Sequence, residues 1–284
     1  MIELSFTKRI NTNRSSIFYS LIHYNNQILG FCRKTYESYA RRIRVFGFST
    51  NFDITLEYLQ DLRGEDPRCF IHNNKLYVVD NYCDDIHLID YDSKEYIKIP
   101  LSGKNFSFIS HEDNLYIIHS MVPLSLYTFN IPTRTLHNIV RQNGSPNKEY
   151  RGGTPGYHKE HKTYYGFGHR THNTNQGLTH DLYYWELNFD QFPPELKIEN
   201  INQPLESKTI TDPTSIISID DTKYLITAES DYPWQREQDY ITNVYRFDYS
   251  PDQLPPPEIV PEPKISWKTR IYQFFSKFYP FPHK

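Results

Sequence analysis

Alanine is nearly missing from this chain: Ala40 and Ala228 are the only two in 284 residues, while Asn, Ile, Tyr and Lys abound. An AT-rich coding genome imposes that bias whatever the fold, so it points to source, viral or protist, and carries no architecture. Cysteine is almost as scarce. Cys32, Cys69 and Cys83 are odd in number and lack C-x-x-C spacing, which excludes a disulfide framework and a structural zinc site and fits reducing surroundings. The formal net charge is only −3. A nucleic-acid binder would show a strongly basic patch, so nucleic acid is not an expected partner. No window approaches the roughly 20 apolar residues of a membrane span, and "MIELSFTKRI" lacks the apolar run of a secretory signal. A soluble cytoplasmic protein is expected, in the host-cell cytoplasm if the source is viral. Helical periodicity is lacking too through the first 250 residues, where Pro and Asn-Asn pairs punctuate the chain.

Aromatic residues are what the chain has in plenty. The 24 Tyr and 18 Phe are wide, flat side chains that pack well on a pleated strand. A unit recurs five times, marked by a polar turn and the strand after it: "HYNNQILGFC", "HNNKLYVVDN", "HEDNLYIIHS", "HKEHKTYYGFG" and "DDTKYLITAES". Third strands follow in step: "RIRVFGFS", "IHLIDYD", "SLYTFNIP", "DLYYWELNFD" and "TNVYRFDYS". Each alternates at period two. A spacing of about 40 to 55 residues is the size of a propeller blade. The expected fold is all-β, a five-bladed β-propeller over residues 1–250, with "MIELSF" completing the last blade so that no sheet edge stays open. Stacked prolines make 251–263 a linker. Residues 264–284 are basic and aromatic, with Ile265, Ile271, Phe275 and Phe278 roughly on one helical face. Two readings of this tail stay open: a short helix packed on the ring, or a weak contact with a membrane surface or protein.

In an antiparallel blade, the start of the first strand, the end of the second and the start of the third share one edge. That edge collects Glu65, Asp66, Arg68, Asp80 and Asn81 from blade two, and Lys104, Asn105, His119 and Ser120 from blade three. Blade four adds Arg151, Gly153, Thr154, His169, Arg170, His172 and Asp181, and blade five adds Asp212 and Glu229. The opposite edge carries ordinary turn residues. A crowded connection over 168–181 is what a polar pocket on the ring axis would need, and mutual repulsion and arginine pairing would spread the pKa values of its carboxylates. His169 and His172 point to different faces, and no carboxylate or cysteine stands at ligand spacing, so neither a transition-metal site nor a cofactor is expected; whether an ion such as calcium fills the ring axis stays open. Tyr183, Tyr184 and Trp185 read as sheet packing.

The segments "EDPR", "RGGTP" with "YYGFGH", and "DPT" at the start of the last blade resemble five-bladed carbohydrate-active propellers. The similarity is to glycoside hydrolases of the arabinanase/xylosidase type and, through "GEDPR", to mannoside phosphorylases; it spans about residues 14–250. In the phosphorylases the aspartate of E-D-P-R sits at the catalytic centre and basic residues hold phosphate, which implies a proton donor at Asp66 with Arg68 beside it. Glu65, Asp181 and Glu229 are the other candidate acids. The hydrolase type needs a base from the first blade, and "TNRSSIFYS" offers no carboxylate. Position on the shared edge makes Arg68, Asp80, Arg151, Gly153, Thr154, His169, Arg170, His172 and Asp212 the candidate contacts to substrate. The expected ligand is a glycan or sugar phosphate, with glycosidic-bond cleavage or transfer, hydrolase-like or phosphorylase-like, as the leading activity. A propeller that binds a glycan or sugar nucleotide without catalysis, and a protein-interaction platform, are the alternatives.

Overall fold

The computed structural model describes residues 2–10, 16–34, 42–81, 85–141, 147–201, 205–206, 209–232 and 240–249. The expected linker at 251–263 and the tail at 264–284 lie outside them. Among the described residues there are 21 strands and no helix. Strand β1 (Ile2–Ile10) comes first. Blade one is β2 (Ser16–Tyr24), β3 (Gln27–Lys34), β4 (Arg42–Phe48) and β5 (Ile54–Arg63). Blade two is β6 (Arg68–His72), β7 (Lys75–Asp80), β8 (His87–Asp90) and β9 (Tyr96–Lys98). Blade three is β10 (Ser107–His111), β11 (Asn114–Ser120), β12 (Ser125–Asn130) and β13 (Thr135–Arg141). Blade four begins with two short pieces, β14 (Tyr150–Arg151) and β15 (Tyr157–Glu160), and continues with β16 (Thr163–Thr174), β17 (Gly177–Asn188) and β18 (Glu195–Asn200). Blade five is β19 (Ile210–Ile219), β20 (Thr222–Ser230) and β21 (Ile241–Tyr249).

Within each blade neighbouring strands run antiparallel, a parallel bridge from His180 to Ile210 joins blades four and five into one nine-stranded sheet, and β1 pairs with β21 as the fourth strand of blade five. The chain thus closes its own ring, as "MIELSF" leads one to expect, with a strand that runs four residues further, to Ile10. Closure covers the β21 edge and buries Ile2, Leu4 and Ile10. The inner strand β6 touches β2, β10 and β19, so the first strands of the blades gather around one axis.

Asn-Asn and Asp-Asp pairs are where they are because of the turn. In the two-residue hairpins Asn25–Asn26, Asn73–Asn74 and Asp220–Asp221, both central residues have positive φ, between 47° and 62°. That is the type I′ geometry, whose twist matches the flanking strands and which Asn and Asp tolerate better than other side chains do. Register follows, with Tyr24 opposite Gln27, His72 opposite Lys75, and Ile219 opposite Thr222.

Apolar layers fill the gaps between sheets. Phe31, Val45 and Leu62 meet Leu76, Val78 and Ile89 between blades one and two. Phe70, Val79 and Leu88 meet Phe106, Phe108 and Ile117 between two and three, and Ile118 and Leu126 meet Tyr183, Trp185 and Leu187 between three and four. Tyr165 and Phe167 pack edge-on against Phe247 between four and five. Tyr19 and Phe48 pack with Ile217, Ile226 and Val244 between five and one. Burying one such side chain contributes about 1.5–3 kcal/mol, against about 1 kcal/mol net for a hydrogen bond. Sheet packing therefore sets stability, and the polar contacts set the geometry of the ring's edge.

Blade four departs from the expected pattern. Its 168–181 segment is not a connection: β16 and β17 run on as 12-residue partners in continuous register from Thr163 opposite Asn188 to Thr174 opposite Gly177. Its inner strand breaks instead, between β14 and β15, where Thr154 fills the gap. The Thr154 N–H donates to the Phe167 carbonyl, and Thr154 Oγ1 accepts the Phe167 N–H at 2.9 Å. Turn chemistry gives the fold its first test. Asn74→Ala keeps the β-carbon in a left-handed turn but removes the polar group that makes asparagine tolerable there, at a cost of about 1 kcal/mol, whereas Asn74→Gly costs nothing; urea unfolding is expected to show a lower midpoint at unchanged slope for the first and an unchanged midpoint for the second.

Candidate functional site

Arg68 opens β6 directly after Pro67, and its side chain turns into the ring. It is 2% exposed. Its Nε donates to the Gly153 carbonyl at 2.9 Å and its Nη1 to the Pro67 carbonyl at 3.0 Å. Blades two and four are not neighbours in the ring, so the bond to Gly153 crosses the axis. Gly153 is glycine because blade five presses on it: an added Cβ would stand 2.5 Å from Pro213 Cγ and 2.8 Å from the Phe167 carbonyl. Burial pushes the guanidinium below its usual range, with Asp66 and Asp212 acting in the opposite direction; it stays charged, since arginine starts so high. Nη2 makes no hydrogen bond among the described residues.

One blade earlier, Arg33 at the end of β3 reaches across to the "EDPR" loop. Its Nη1 lies 3.0 Å from Glu65 Oε1 and 2.6 Å from Asp66 Oδ1, and its guanidinium stacks on Phe18 at 4.7 Å. Three further bonds hold the loop: the Glu65 N–H donates to Asp80 Oδ1, the Asn81 side chain donates to the Asp66 carbonyl, and the Asn81 N–H donates to the Glu65 carbonyl. Asp66 itself sits at φ 44°, a left-handed conformation that persists where surroundings impose it and that clusters at functional sites. Asp66 is the most accessible of the three ion-pair members, its side chain 13% exposed against 9% for Arg33 and for Glu65. Only its Oδ1 is engaged by Arg33.

Across the ring, β16, β17 and β19 bring His169, His180 and Asp212 together, and all three are buried. The two imidazoles stack with centroids 4.6 Å apart. The His180 Nδ1 lies 2.6 Å from Asp212 Oδ1 as a hydrogen bond, and the His169 Nδ1 lies 3.4 Å from the same oxygen without hydrogen-bond geometry. Burial holds His169 neutral, its pKa pushed down to about 3 against the pull of Asp212. For Asp212, burial works against the charge, while His180 and Arg68 outweigh it and hold the carboxyl well below the usual range.

The other expected residues are placed elsewhere. Strand alternation sends His169 and Thr171 inward and turns Arg170 and His172 to the other face of β16. There Arg170 pairs with Glu149, and His172 Nε2 lies 2.8 Å from Asp181 Oδ2, with the Asp181 side chain 69% exposed. Glu229 is fully buried beside Thr227, whose hydroxyl donates to its Oε1, inside blade five's packing. Asp80 and Thr154 are buried in the backbone contacts already given. Arg151 is half-buried with its Nε on the Lys148 carbonyl, within electrostatic reach of His169. Thus Glu65, Asp66, Arg68, His169 and Asp212 share the axial edge. Arg33 and His180 belong with them; His180 stands in the 179–181 segment expected at this edge, but neither residue was singled out as a catalytic or substrate contact. At the other end of the inner strands lies a cavity of about 390 Å³ lined by Ile22, Phe70, Tyr157 and Ile216 among others. No carboxylate or arginine lines it.

No protein-family profile matches the chain, and no curated protein sequence does. Solved structures do. A thermostable family-43 glycoside hydrolase superposes with a TM-score of 0.60 at 16% identity, covering 87% of this chain and 94% of its own. A family-43 β-1,3-galactosidase with galactodeoxynojirimycin gives 0.60 at 10% identity over 88% and 96%. A mannose phosphorylase from Leishmania mexicana in complex with phosphate ion gives 0.56 at 13% identity over 81% and 83%. These likenesses establish the fold, the propeller of glycoside hydrolases and phosphorylases.

Removing Arg33 strands two poorly solvated carboxylates. Arg33→Met is expected to lower unfolding free energy by about 3 kcal/mol, and Arg33→Met with Asp66→Asn to recover part of that loss. A double-mutant cycle in urea measures the coupling; additive losses would contradict the geometry.

Proposed function

We propose that the chain is a carbohydrate-active propeller that cleaves a glycosidic bond by phosphorolysis, with Asp66 as proton donor, or forms one in the reverse reaction with release of phosphate. The observation that carries the reading is the charge inventory of the axial edge: one partly accessible carboxylate, Asp66, between two buried guanidiniums, Arg33 and Arg68. Hydrolysis by the usual route needs a second working carboxylate, about 5–5.5 Å away for retention or 6.5–9.5 Å for inversion. Glu65 shares Arg33 with Asp66 and is the more deeply buried of the two, and Asp212 is tied to His180. Phosphorolysis needs a single acid and a cationic cradle. The phosphate oxygen attacks the anomeric carbon, the C–O bond to the leaving sugar breaks, and that oxygen takes the Asp66 proton; the proton of hydrogen phosphate restores the acid. Arginine suits the second requirement because its planar fork matches phosphate oxygens. Arg68 Nη2 is the donor with no hydrogen bond to the described residues, and Arg151 adds positive charge nearby. Similar architecture in a mannose phosphorylase with bound phosphate supports the same reading.

One observation favours a second reading. Asp66 Oδ1 stands 2.6 Å from Arg33, and a carboxylate held in that pair throughout would bind sugar hydroxyls without donating a proton. The two readings separate in one assay. Manno-oligosaccharides and a panel of other oligosaccharides are incubated with and without orthophosphate, and sugar 1-phosphate is followed. Phosphorolysis predicts product only with orthophosphate, a loss of roughly 10³-fold in Asp66→Asn, and thermal stabilisation by sugar that survives the substitution. Stabilisation without turnover establishes the binding reading, and phosphate-independent sugar release overturns the first.

A further inference from the structure

His169, His180 and Asp212 play no part in the proton transfer and anion contacts above. We infer that they form a binding site for one borderline divalent transition ion of the zinc class, between blades four and five. One ligand atom from each residue lies within 4.8 Å of the other two. The 3.4 Å from His169 Nδ1 to Asp212 Oδ1 equals the separation of about 3.4 Å between two ligands held at roughly 2.0–2.1 Å in a tetrahedral zinc site. Three strands rather than loops carry the three groups, and the His180–Asp212 pair, 2.6 Å apart, opens to the same separation when the ion enters.

A second observation is independent of that spacing. His169 is 1% exposed, and neither of its ring nitrogens has a hydrogen-bond partner among the described residues. Buried polar side-chain atoms are almost always satisfied, so an imidazole with both nitrogens bare points to a missing ligand. His180 and Asp212 already have each other. Burial also keeps His169 in the neutral form that coordinates metals. Two imidazoles and one carboxylate suit zinc, cobalt, nickel or copper; calcium takes six to eight oxygens and finds one carboxylate here. On binding, His180 exchanges its Nδ1–H bond to Asp212 for the ion and carries its proton on Nε2. Arg68 and Arg151 act on His169 as positive charges, so they weaken the site and confine it to ions that bond strongly to imidazole. Pairing His169 with His172 by sequence distance hides this site, because register sets Thr171, two residues past His169 on the same face, opposite His180.

The 284-residue chain, freed of metal with a chelator, is titrated with Zn²⁺ by calorimetry and with Co²⁺ by visible absorption. The expected result is one ion per chain, cobalt bands of an imidazole-ligated tetrahedral or five-coordinate ion, and no heat with Mg²⁺ or Ca²⁺. His169→Gln and Asp212→Asn each lower zinc affinity by more than about 100-fold, beyond the range that outer partners cost, and His172→Gln leaves it unchanged. Wild-type stoichiometry and cobalt spectra decide the matter if either variant misfolds. Zinc below one equivalent, cobalt spectra of a hexa-aqua ion, or full affinity in a folded His169→Gln overturns the inference. So does thermal stabilisation by orthophosphate, and not by zinc, that His169→Gln abolishes, since His169 then belongs to the anion pocket. None of these readouts uses turnover, so the inference and the glycosidic reading fail separately.

Discussion

A guanidinium withdrawn from water at the centre of the ring is the constraint on which the charged edge depends. Arg68 cannot shed its proton, and an ion that deep persists only where acceptors and opposite charge have been supplied. The Gly153 carbonyl reaches it from two blades away because residue 153 lacks a side chain. Asp66 and Asp212 flank it from opposite sides of the ring. Each of those anions is fixed in turn, the first by Arg33 and the second by His180. Cation, anion and imidazole thus follow one another around the edge, and displacing any one leaves its neighbour buried without compensation.

Packing and polarity divide the labour. Between the sheets, layers of aromatic and branched side chains carry the stability, blade against blade. Along the inner strands single polar bonds tie one blade to the next: Thr214 Oγ1 donates to the Tyr19 carbonyl between blades five and one, and the Gly156 N–H donates to the Phe108 carbonyl between four and three; at the charged edge the bonds of Arg68 and Arg33 do the same. A functional pocket suits that edge because its side chains are held by bonds of defined length.

Much of the fold was legible in the sequence for a local reason. Type I′ turns demand Asn, Asp or Gly at two successive positions, so Asn25–Asn26, Asn73–Asn74 and Asp220–Asp221 announce hairpins, and period-two alternation announces the strands beside them. The closing role of residues 2–10 followed from counting strands per blade. The site was legible only in part. Asp66 and Arg68 stand next to a proline that marks the loop, which made them readable. Arg170, His172 and Asp181 could not be sorted from His169 while 168–181 was read as a loop, because a loop has no inner and outer face and a strand does. Glu229 obeys the same alternation and points into packing. Arg33 and His180 gain their roles from partners 33 and 32 residues away, in another blade, and no local pattern encodes that.

The central claim is that a buried arginine on the axis organises an anion-accepting mouth. Phosphorus-31 NMR of orthophosphate titrated with the folded protein tests it most directly. The account predicts broadening that saturates at one phosphate per chain, that persists at reduced affinity in Arg68→Lys and that vanishes in a folded Arg68→Gln. Broadening unchanged in Arg68→Gln, or none with the wild-type chain, would contradict it.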